Sequence, residues 1–332
     1  MYQNEKPVII SGPCSVETEE QFYSTSLELI SSKKIDFIRG GVWKPRTRPG
    51  SFEGLGETAL KWMSEFRDKY RVPIAVEVAT KDQVKLALKY DVDLLWIGAR
   101  TTGNPFSVQE LADELQNTTK PIFVKNPINP DLTLWIGAVE RLQKAGIKNI
   151  GLIHRGFNII GKNNYRNPPM WHLAIEMKQK FPDYKLICDP SHIGGKREYI
   201  LDIAQNAMNL DFDGLMIESH CDPDNAWSDA AQQLKPSALI SLLDELDIDT
   251  YEKIGGSTNI LYDGLKKQVS IIDNELIYLI DRRIELIKQL KSDQGNIDLS
   301  QLSKGALMQK VNDKNITEDF LIELFNVLNR IV

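Results

Sequence analysis

The sequence predicts an α/β protein in which a (β/α)8 TIM barrel is followed by a small all-α helical domain. Two observations predict the barrel: short apolar runs alternate with amphipathic stretches, and almost every run ends in a charged or metal-binding residue. A third observation, a seven-residue apolar repeat near the end of the chain, predicts the helical domain. We expect the barrel over residues 1–246, a linker over 247–256 and the helical domain over 257–332.

Eight short apolar runs are the candidate strands, and turn-forming residues bound them. In chain order they are "PVIISGPCS", "IDFIRGG", "PIAVEVA", "LLWIGAR", "PIFVKN", "IGLIHRG", "LICDPSH" and "GLMIESH". Such near-continuous apolar runs are typical of parallel strands that are covered on both faces. Eight of them within about 240 residues fit a closed barrel better than an open doubly wound sheet.

Amphipathic stretches between these runs are the candidate helices. They include "TEEQFYSTSLELISS", "GLGETALKWMSEFRDKY", "KDQVKLALKY", "VQELADELQ", "TLWIGAVERLQKAG" and "REYILDIAQNAMNL". A regular alternation of strand and helix predicts a parallel sheet with helices packed on it.

Composition and charge exclude several classes of protein. A net charge of −6 argues against nonspecific nucleic-acid binding, which needs a broad cationic surface. The amino-terminal residues do not resemble a signal peptide, and no apolar run is long enough to span a membrane. Three scattered cysteines, Cys14, Cys188 and Cys221, suit a reducing compartment. We therefore expect a cytoplasmic protein with no nucleic-acid or membrane partner.

The ends of the candidate strands carry the residues that point to chemistry. These residues are Cys14, Arg39, Glu77, Arg100, Lys125, Arg155, His192 and Glu218. In a (β/α)8 barrel the carboxyl ends of all strands meet at one face, which carries the active site. Single charged residues at strand ends are common, but eight such ends on one face predict a catalytic centre.

Six cations form the first group of candidate site residues, which we name the cation cluster. Its members are Arg39, Lys44, Arg46, Arg100, Lys125 and Arg155. Guanidinium groups bind phosphate and carboxylate through two hydrogen bonds, and lysine supplies a point charge. Since six cations in one mouth repel one another, we expect a substrate with phosphate and carboxylate groups, or two phosphorylated substrates. Small residues at Gly98 and Ala99 would let backbone N–H groups approach a phosphate.

Four residues form the second group, which we name the donor set: Cys14, His192, Glu218 and Asp229. A thiolate, an imidazole and two carboxylates suit a divalent ion of intermediate softness, such as Mn²⁺, Fe²⁺, Co²⁺ or Zn²⁺. They do not match the cysteine-rich sets of structural zinc sites. Alternatively, Cys14 is a buried core thiol, His192 belongs to a turn and Asp229 caps a helix.

These motifs together resemble the type Iβ 3-deoxy-D-arabino-heptulosonate 7-phosphate (DAHP) synthases, which catalyse the first step of the shikimate pathway. The matching stretches are "GPCSVE", "RGGVWKPRT", "WIGARTT", "FVKNP", "HRGF", "CDPSHIGG", "MIESH" and "DPDNAWSDAAQQ". The resemblance implies a (β/α)8 barrel that condenses phosphoenolpyruvate with erythrose 4-phosphate with the help of a divalent metal ion.

The resemblance also implies a role for each candidate residue. It implies that the donor set, Cys14, His192, Glu218 and Asp229, binds the metal ion. Phosphoenolpyruvate would be held by Arg39, Lys44, Gly98, Ala99, Arg100, Lys125 and Arg155. Arg46 and Thr47 of "KPRT" would bind the phosphate of erythrose 4-phosphate. The catalytic candidates are Lys44, Glu77 and His192, and the last two are candidates for proton transfer.

The main alternative for the barrel is the sister family, the 3-deoxy-D-manno-octulosonate 8-phosphate synthases, which use arabinose 5-phosphate. That family has an Asn-Arg-Ser type segment where this chain has "KPRT", and some of its members replace the metal-binding cysteine with asparagine. Cys14 and "KPRT" therefore favour the heptulosonate enzyme.

Residues 260–293 predict one long amphipathic helix, in which Leu265, Ile272, Leu279 and Leu286 repeat every seven residues. The stretch "LKKQVSIIDNELIYLIDRR" resembles the first helix of the all-helical (AroQ-type) chorismate mutases, which convert chorismate to prephenate as intertwined dimers. The resemblance implies a mutase site at Lys266, Arg283 and Lys291.

Three alternatives stay open for residues 257–332. They form a working mutase, a module that binds chorismate or prephenate and regulates the barrel, or a set of dimerisation helices. The resemblance further implies feedback inhibition, and we expect a homodimer or a homotetramer.

Overall fold

The structure of the protein is a computed structural model. It describes residues 6–44, 50, 52–159, 164–247, 258–294, 323, 324 and 327, and within residues 258–294 it describes the side chains of residues 269–289. Arg46 and Thr47, and the side chains of Lys266 and Lys291, lie outside this description.

Eight parallel strands close into a barrel in the order of the chain, which confirms the predicted (β/α)8 fold. The strands are β1 (Val8–Gly12), β2 (Phe37–Arg39), β3 (Ile74–Val78), β4 (Leu94–Ile97), β5 (Ile122–Lys125), β6 (Ile150–His154), β7 (Leu186–Cys188) and β8 (Gly214–Glu218). Strand β8 pairs with β1 along its whole length, so that Glu218 lies beside Gly12.

Helices alternate with the strands and continue after the last strand. They are α1 (Glu19–Ser31), α2 (Glu57–Tyr70), α3 (Lys81–Lys89), α4 (Ala99–Thr102), α5 (Pro105–Glu114), α6 (Leu132–Lys144), α7 (Trp171–Lys180), α8 (Pro190–Gly194), α9 (Ile200–Asn209), α10 (Pro236–Glu245) and α11 (Thr258–Gln294). The two shortest, α4 and α8, follow the carboxyl ends of β4 and β7 directly and so turn the chain at the mouth of the barrel.

Side-chain caps explain where several helices begin. Thr18, Thr80 and Asp131 each accept a hydrogen bond from a backbone N–H three residues later, at the starts of α1, α3 and α6. These bonds pair N–H groups that have no partner within the helix.

Apolar side chains form a core cluster on the strands. Its members are Val8, Ile10, Phe37, Ala75, Leu94, Trp96, Phe123, Ile153, Ile187 and Met216. Every strand contributes at least one of them. The interior of the barrel is therefore filled with side chains and is not an open channel. Polar residues replace these side chains at the last positions of β2, β5 and β8.

The chain divides into two compact units, Met1–Gln268 and Val269–Val332. The predicted long helix is present as α11, and Val269, Ile272 and Leu276 on it are about half exposed. Most of the predicted linker, and most of the chain after α11, lies outside the described residues, so the proposed domain boundaries stay predictions. Among the described helices, even the longest has no apolar stretch sufficient to cross a bilayer.

Candidate active site

The candidate site lies at the carboxyl ends of the strands, where β2, β5 and β8 end in Arg39, Lys125 and Glu218. All three charged side chains are buried, with at most 3% of their surface exposed. Buried charges are rare unless they are paired or bind a ligand. This face of the barrel is therefore the place to look for function.

The donor set converges on one point at this face. One ligand atom each from Cys14, Glu218 and Asp229 lies within 4.8 Å of the others. Asp229 Oδ2 is 3.4 Å from Cys14 Sγ, and His192 Nε2 is 3.8 Å from Glu218 Oε1. The loop after β1, the end of β8 and the loop after it thus bring Cys14, Glu218 and Asp229 together, and helix α8 places His192 beside Glu218.

The electrostatics of this point suit a cation. Burial, together with the charge of Glu218, raises the pKa of the Cys14 thiol to about 12. Burial also acts to raise the pKa of Glu218, but the charges of His192 and Arg39 outweigh it and hold that pKa below its ordinary value. A divalent ion would add the positive charge that a cysteine thiolate needs, so the residues fit the metal that their types predict.

Lys44 lies against Cys14. Its Nζ donates hydrogen bonds of 2.9 Å to the Sγ and to the backbone carbonyl of Cys14. Burial acts to lower the pKa of Lys44, but Cys14 and Glu218 raise it above its ordinary value. Lys44 therefore stays charged at the edge of the donor set.

Two further cations are tied to carboxylates across the mouth. Arg39 NH2 lies 3.1 Å from Glu218 Oε1, and Lys125 Nζ lies 2.8 Å from Asp189 Oδ2. Asp189 also contacts His192 Nδ1 at 2.8 Å. Asp189 therefore connects the cation cluster to the donor set.

Trp96 supports both of these cations from below. The centre of its ring lies 5.2 Å from the guanidinium carbon of Arg39 and 5.7 Å from Lys125 Nζ. Its indole N–H donates a 2.9 Å hydrogen bond to Glu77 Oε2. One fully buried side chain of β4 thus contacts three of the candidate residues.

Arg155 follows β6 and donates hydrogen bonds to Asn167 Oδ1 at 2.9 Å and to the Gly156 carbonyl at 3.3 Å. Burial, aided by the charges of Arg166 and Arg100, lowers the pKa of Arg155 to about 10. Asp189 opposes this shift, so Arg155 lies between a carboxylate and two further cations, Arg166 and Arg100.

Comparison with known proteins decides the family. A family model described as "DAHP synthetase I family" matches residues 2–252, which is most of the chain. The phospho-2-dehydro-3-deoxyheptonate aldolase of Thermotoga maritima is 30% identical over 238 residues, which cover 72% of this chain and 68% of that protein. The chain belongs to the DAHP synthetase I family.

Solved structures extend the family likeness to the fold. A crystal structure of the Thermotoga maritima DAHP synthase aligns with a TM-score of 0.64 at 29% identity and covers 72% of this chain and 67% of that one. A truncated form of 3-deoxy-D-arabino-heptulosonate 7-phosphate synthase from the same organism aligns with a TM-score of 0.62 at 27% identity and covers 72% and 84%. The 2-dehydro-3-deoxyphosphooctonate aldolase of Rickettsia typhi is 29% identical over 266 residues, which cover 74% of this chain and 92% of that protein.

Within this DAHP synthetase I barrel, three more predicted residues, Gly98, Ala99 and Arg100, lie at the carboxyl end of β4. Gly98 caps α4, which contains Ala99 and the exposed Arg100. A Cβ atom at Gly98 would collide with the carboxylate of Glu77, which explains glycine at this position. Arg283 lies on α11 in the second compact unit and is half-buried.

Sequence reasoning missed several residues of the site. Trp96 lies inside an apolar run and has the pattern of a core residue. Asp189 stands in the quoted motif "CDPSHIGG", immediately after β7, and its position at a strand end could have identified it. Gln232 stands in the quoted motif "DPDNAWSDAAQQ", in a short helical turn after Asp229, and Arg166 lies in a polar loop that only the fold brings beside it.

Proposed function

We propose that this protein is a DAHP synthase, which condenses phosphoenolpyruvate with erythrose 4-phosphate to give 3-deoxy-D-arabino-heptulosonate 7-phosphate and phosphate. The observation that carries the proposal is the placement of the cation cluster directly beside the donor set, through the contacts of Lys44 with Cys14 and of Arg39 with Glu218. An anion site and a metal site in contact suit a reaction between two phosphorylated substrates.

The proposed phosphoenolpyruvate site uses the described cations and the turn after β4. Its residues are Arg39, Lys44, Gly98, Ala99, Arg100, Lys125 and Arg155. Phosphoenolpyruvate carries a phosphate and a carboxylate, which match the guanidinium groups of this set. The lowered pKa of Arg155 supports this assignment, because a nearby anion would offset the burial and the repulsion that lower it. Arg46 and Thr47 are the proposed ligands of the erythrose 4-phosphate phosphate group.

Cys14, His192, Glu218 and Asp229 would hold a divalent ion, with Mn²⁺, Fe²⁺, Co²⁺ and Zn²⁺ as the candidates. When bound, such an ion acts as a Lewis acid that makes an aldehyde carbon more electrophilic. The donor set would hold that ion beside the cation cluster.

The bonds change as follows. C3 of phosphoenolpyruvate bonds to the aldehyde carbon of erythrose 4-phosphate, and the aldehyde oxygen takes up a proton. Water adds to C2, and the C2–O bond to phosphate then breaks, which leaves the ketone. Arg39, Lys44, Lys125 and Arg155 would stabilise the charge that develops during these steps, because they are already fixed in place. Glu77 and His192 are the proposed groups for moving the protons.

The test is an assay of phosphoenolpyruvate loss and phosphate release with each candidate sugar. We expect turnover with erythrose 4-phosphate and little with arabinose 5-phosphate. We also expect a chelator to abolish turnover and added Mn²⁺ to restore it. The octulosonate relatives define the alternative substrate. Faster turnover with arabinose 5-phosphate than with erythrose 4-phosphate would show that the protein is an octulosonate 8-phosphate synthase instead. Turnover that resists the chelator would contradict the metal site.

For residues 257–332 we infer a chorismate mutase domain that makes the protein bifunctional, with Lys266, Arg283 and Lys291 in its site. Its support is the resemblance of the first-helix sequence together with the unbroken helix α11. The alternatives are a module that binds chorismate or prephenate to regulate the barrel, and a dimerisation domain. A homodimer or homotetramer is the proposed assembly.

Chorismate loss, measured with the full chain and with Arg283→Ala, tests the mutase. The matched control is Arg282→Ala, since Arg282 pairs with Glu285 at 2.8 Å on the same helix. Turnover that Arg283→Ala abolishes and Arg282→Ala retains would support the mutase. Prephenate binding without turnover would favour the regulatory module, and self-association alone would favour the dimerisation domain.

A further inference from the structure

Cys14 Sγ accepts a 2.9 Å hydrogen bond from Lys44 Nζ, and each of the other three residues of the donor set has one polar side-chain atom engaged by a neighbouring side chain. The contacts are His192 Nδ1 with Asp189 Oδ2 at 2.8 Å, Glu218 Oε2 with Gln232 Nε2 at 2.7 Å, and Asp229 Oδ1 with Arg166 NH1 at 3.0 Å. The contact with Arg166 leaves Oδ2 of Asp229, and the contacts of His192 and Glu218 leave Nε2 and Oε1, so the atom of each side chain that remains for a ligand is fixed.

The remaining donor atoms face one another. Asp229 Oδ2 lies 3.4 Å from Cys14 Sγ, and His192 Nε2 lies 3.8 Å from Glu218 Oε1. Glu218 Oε1 is buried and accepts no hydrogen bond from the described residues, although Arg39 NH2 lies 3.1 Å away. A buried carboxylate oxygen without a hydrogen bond is costly unless something else binds it.

The two carboxylates are joined by a continuous chain of hydrogen bonds. Arg166 NH1 donates to Asp229 Oδ1 at 3.0 Å and to Gln232 Oε1 at 2.8 Å. Gln232 Nε2 then donates to Glu218 Oε2 at 2.7 Å. Because the guanidinium can only donate, it fixes the amide of Gln232 with its nitrogen towards Glu218. Arg166 and Gln232 therefore control the orientation of both carboxylates at once.

Asp229 needs such control because its backbone is left-handed, with φ of 46°. A non-glycine residue in this region is strained and keeps its conformation only if its surroundings hold it. The contact with Arg166 is the one hydrogen bond to Asp229 Oδ1 among the described residues.

We propose that Arg166 and Gln232 are positioning residues that make Glu218 and Asp229 bind the metal ion through one oxygen each. Without them, each carboxylate could rotate and bind through both oxygens or through water. The inference rests on the proposed metal site. It predicts that both residues set the affinity and the ligand geometry of the ion without touching it.

Cobalt(II) is the probe for the test, because its visible absorption reports the geometry of its ligands and a cysteine ligand adds a sulfur-to-metal charge-transfer band. Metal-depleted full-length protein is titrated with Co²⁺ as wild type, Arg166→Met, Arg166→Lys and Gln232→Met. Arg197→Met is the matched control. Arg197 holds the same loop through the backbone carbonyls of Ala230 and Gln233, not through a ligand.

We expect Arg166→Met and Gln232→Met to weaken Co²⁺ binding by about 10- to 100-fold, the usual effect of removing an outer partner of a metal ligand. Their ligand-field bands should shift, while the sulfur band stays because Cys14 still binds. Arg166→Lys should recover part of the affinity, and Arg197→Met should match the wild type. The side chain of Arg166 is half exposed, so its substitution leaves the core packed.

Wild-type affinity and bands in both Met variants would overturn the inference and leave the proposed metal site intact. Equal losses in Arg197→Met would also overturn it, since the effect would then belong to the loop. A wild type with no sulfur-to-metal band would contradict the metal site itself, and the inference with it.

Discussion

At the scale of single residues, burial shifts the pKa values of two side chains, Cys14 and His154, in opposite directions. Cys14 and His154 are both fully buried, yet they occupy different surroundings. Cys14 faces carboxylates and cations, whereas His154 is enclosed by the aromatic rings of Trp135, Phe157 and Trp171. A bound cation could therefore change the ionisation of Cys14. The aromatic surroundings of His154 keep that histidine neutral.

His154 should therefore make the fold sensitive to acid. Burial lowers the pKa of His154 to about 3, whereas an unfolded histidine titrates near about 6.5. Between these values the unfolded state binds more protons, so the free energy of unfolding falls as the pH falls, by at most about 1.4 kcal/mol per pH unit. Replacing the histidine by phenylalanine removes this contribution.

The measurement is denaturant-induced unfolding of the wild type and of His154→Phe at pH 7 and pH 5. The wild type should lose up to about 2 kcal/mol more than the variant between these two pH values. Parallel losses in both proteins would show that His154 is not the source of the acid sensitivity.

At the scale of elements, β4 links the core to the site. Trp96 belongs to the core cluster, yet its ring contacts Arg39 and Lys125 and its N–H holds Glu77. Through Trp96, this strand helps to position the side chains of Arg39 and Lys125 at the mouth of the barrel. A change in its middle should be felt at the proposed phosphoenolpyruvate site.

Trp96→Leu should raise the KM for phosphoenolpyruvate by about 10-fold or more, because a desolvated cation–π contact contributes about 2 kcal/mol. Trp96→Phe keeps a ring and loses the N–H, so it should have a smaller effect. The KM for erythrose 4-phosphate should change little. Steady-state kinetics with each substrate varied in turn measures both constants.

Trp135→Phe is the control for this prediction. Trp135 is also fully buried, but it lies on α6 and donates its N–H to the carbonyl of Val124. An equal rise in the KM for phosphoenolpyruvate in Trp135→Phe would mean that loss of core packing causes the effect, and not loss of the contacts of the Trp96 ring with Arg39 and Lys125.

The sequence predicted the strands better than the helices, for physical reasons. Buried parallel strands leave near-continuous apolar runs, and all eight were recognisable. Helix α7 was not singled out because it has no side-chain cap and begins after Met170, whose φ is 46°. Its first residue, Trp171, is buried.

The same distinction applies to the site. Most residues that the sequence proposes as ligand contacts stand at or just after strand ends and have unusual chemistry for such positions, which is why their types singled them out. Arg166 acts on Asp229 across 63 positions of the chain, and nothing in its polar loop indicates that partner. Positioning residues of this kind become visible only when the fold is known.

At the scale of the whole molecule, the donor set joins distant parts of the barrel. Cys14 follows β1, His192 lies in α8 after β7, and Glu218 ends β8. An ion bound by all of them binds only the folded protein, so it adds to the free energy of unfolding.

Mn²⁺ at about 100 times its dissociation constant should stabilise the protein by about 2.7 kcal/mol, which corresponds to a rise in Tm of about 4 °C for a chain of 332 residues. A thermal melt with and without Mn²⁺, and again after a chelator, measures the shift. Cys14→Ala should abolish it, and Cys221→Ala should retain it. A shift of equal size in Cys14→Ala would place the ion elsewhere.

The pairing of β8 with β1 has a consequence for the order of events during synthesis. This pairing is the seam at which the first strand to leave the ribosome meets the last. The donor set spans the seam, with Cys14 on one side and Glu218 and Asp229 on the other. A nascent chain that has not yet reached Asp229 holds only part of the donor set, so capture of the proposed metal ion would belong to the finished barrel and not to its growing half.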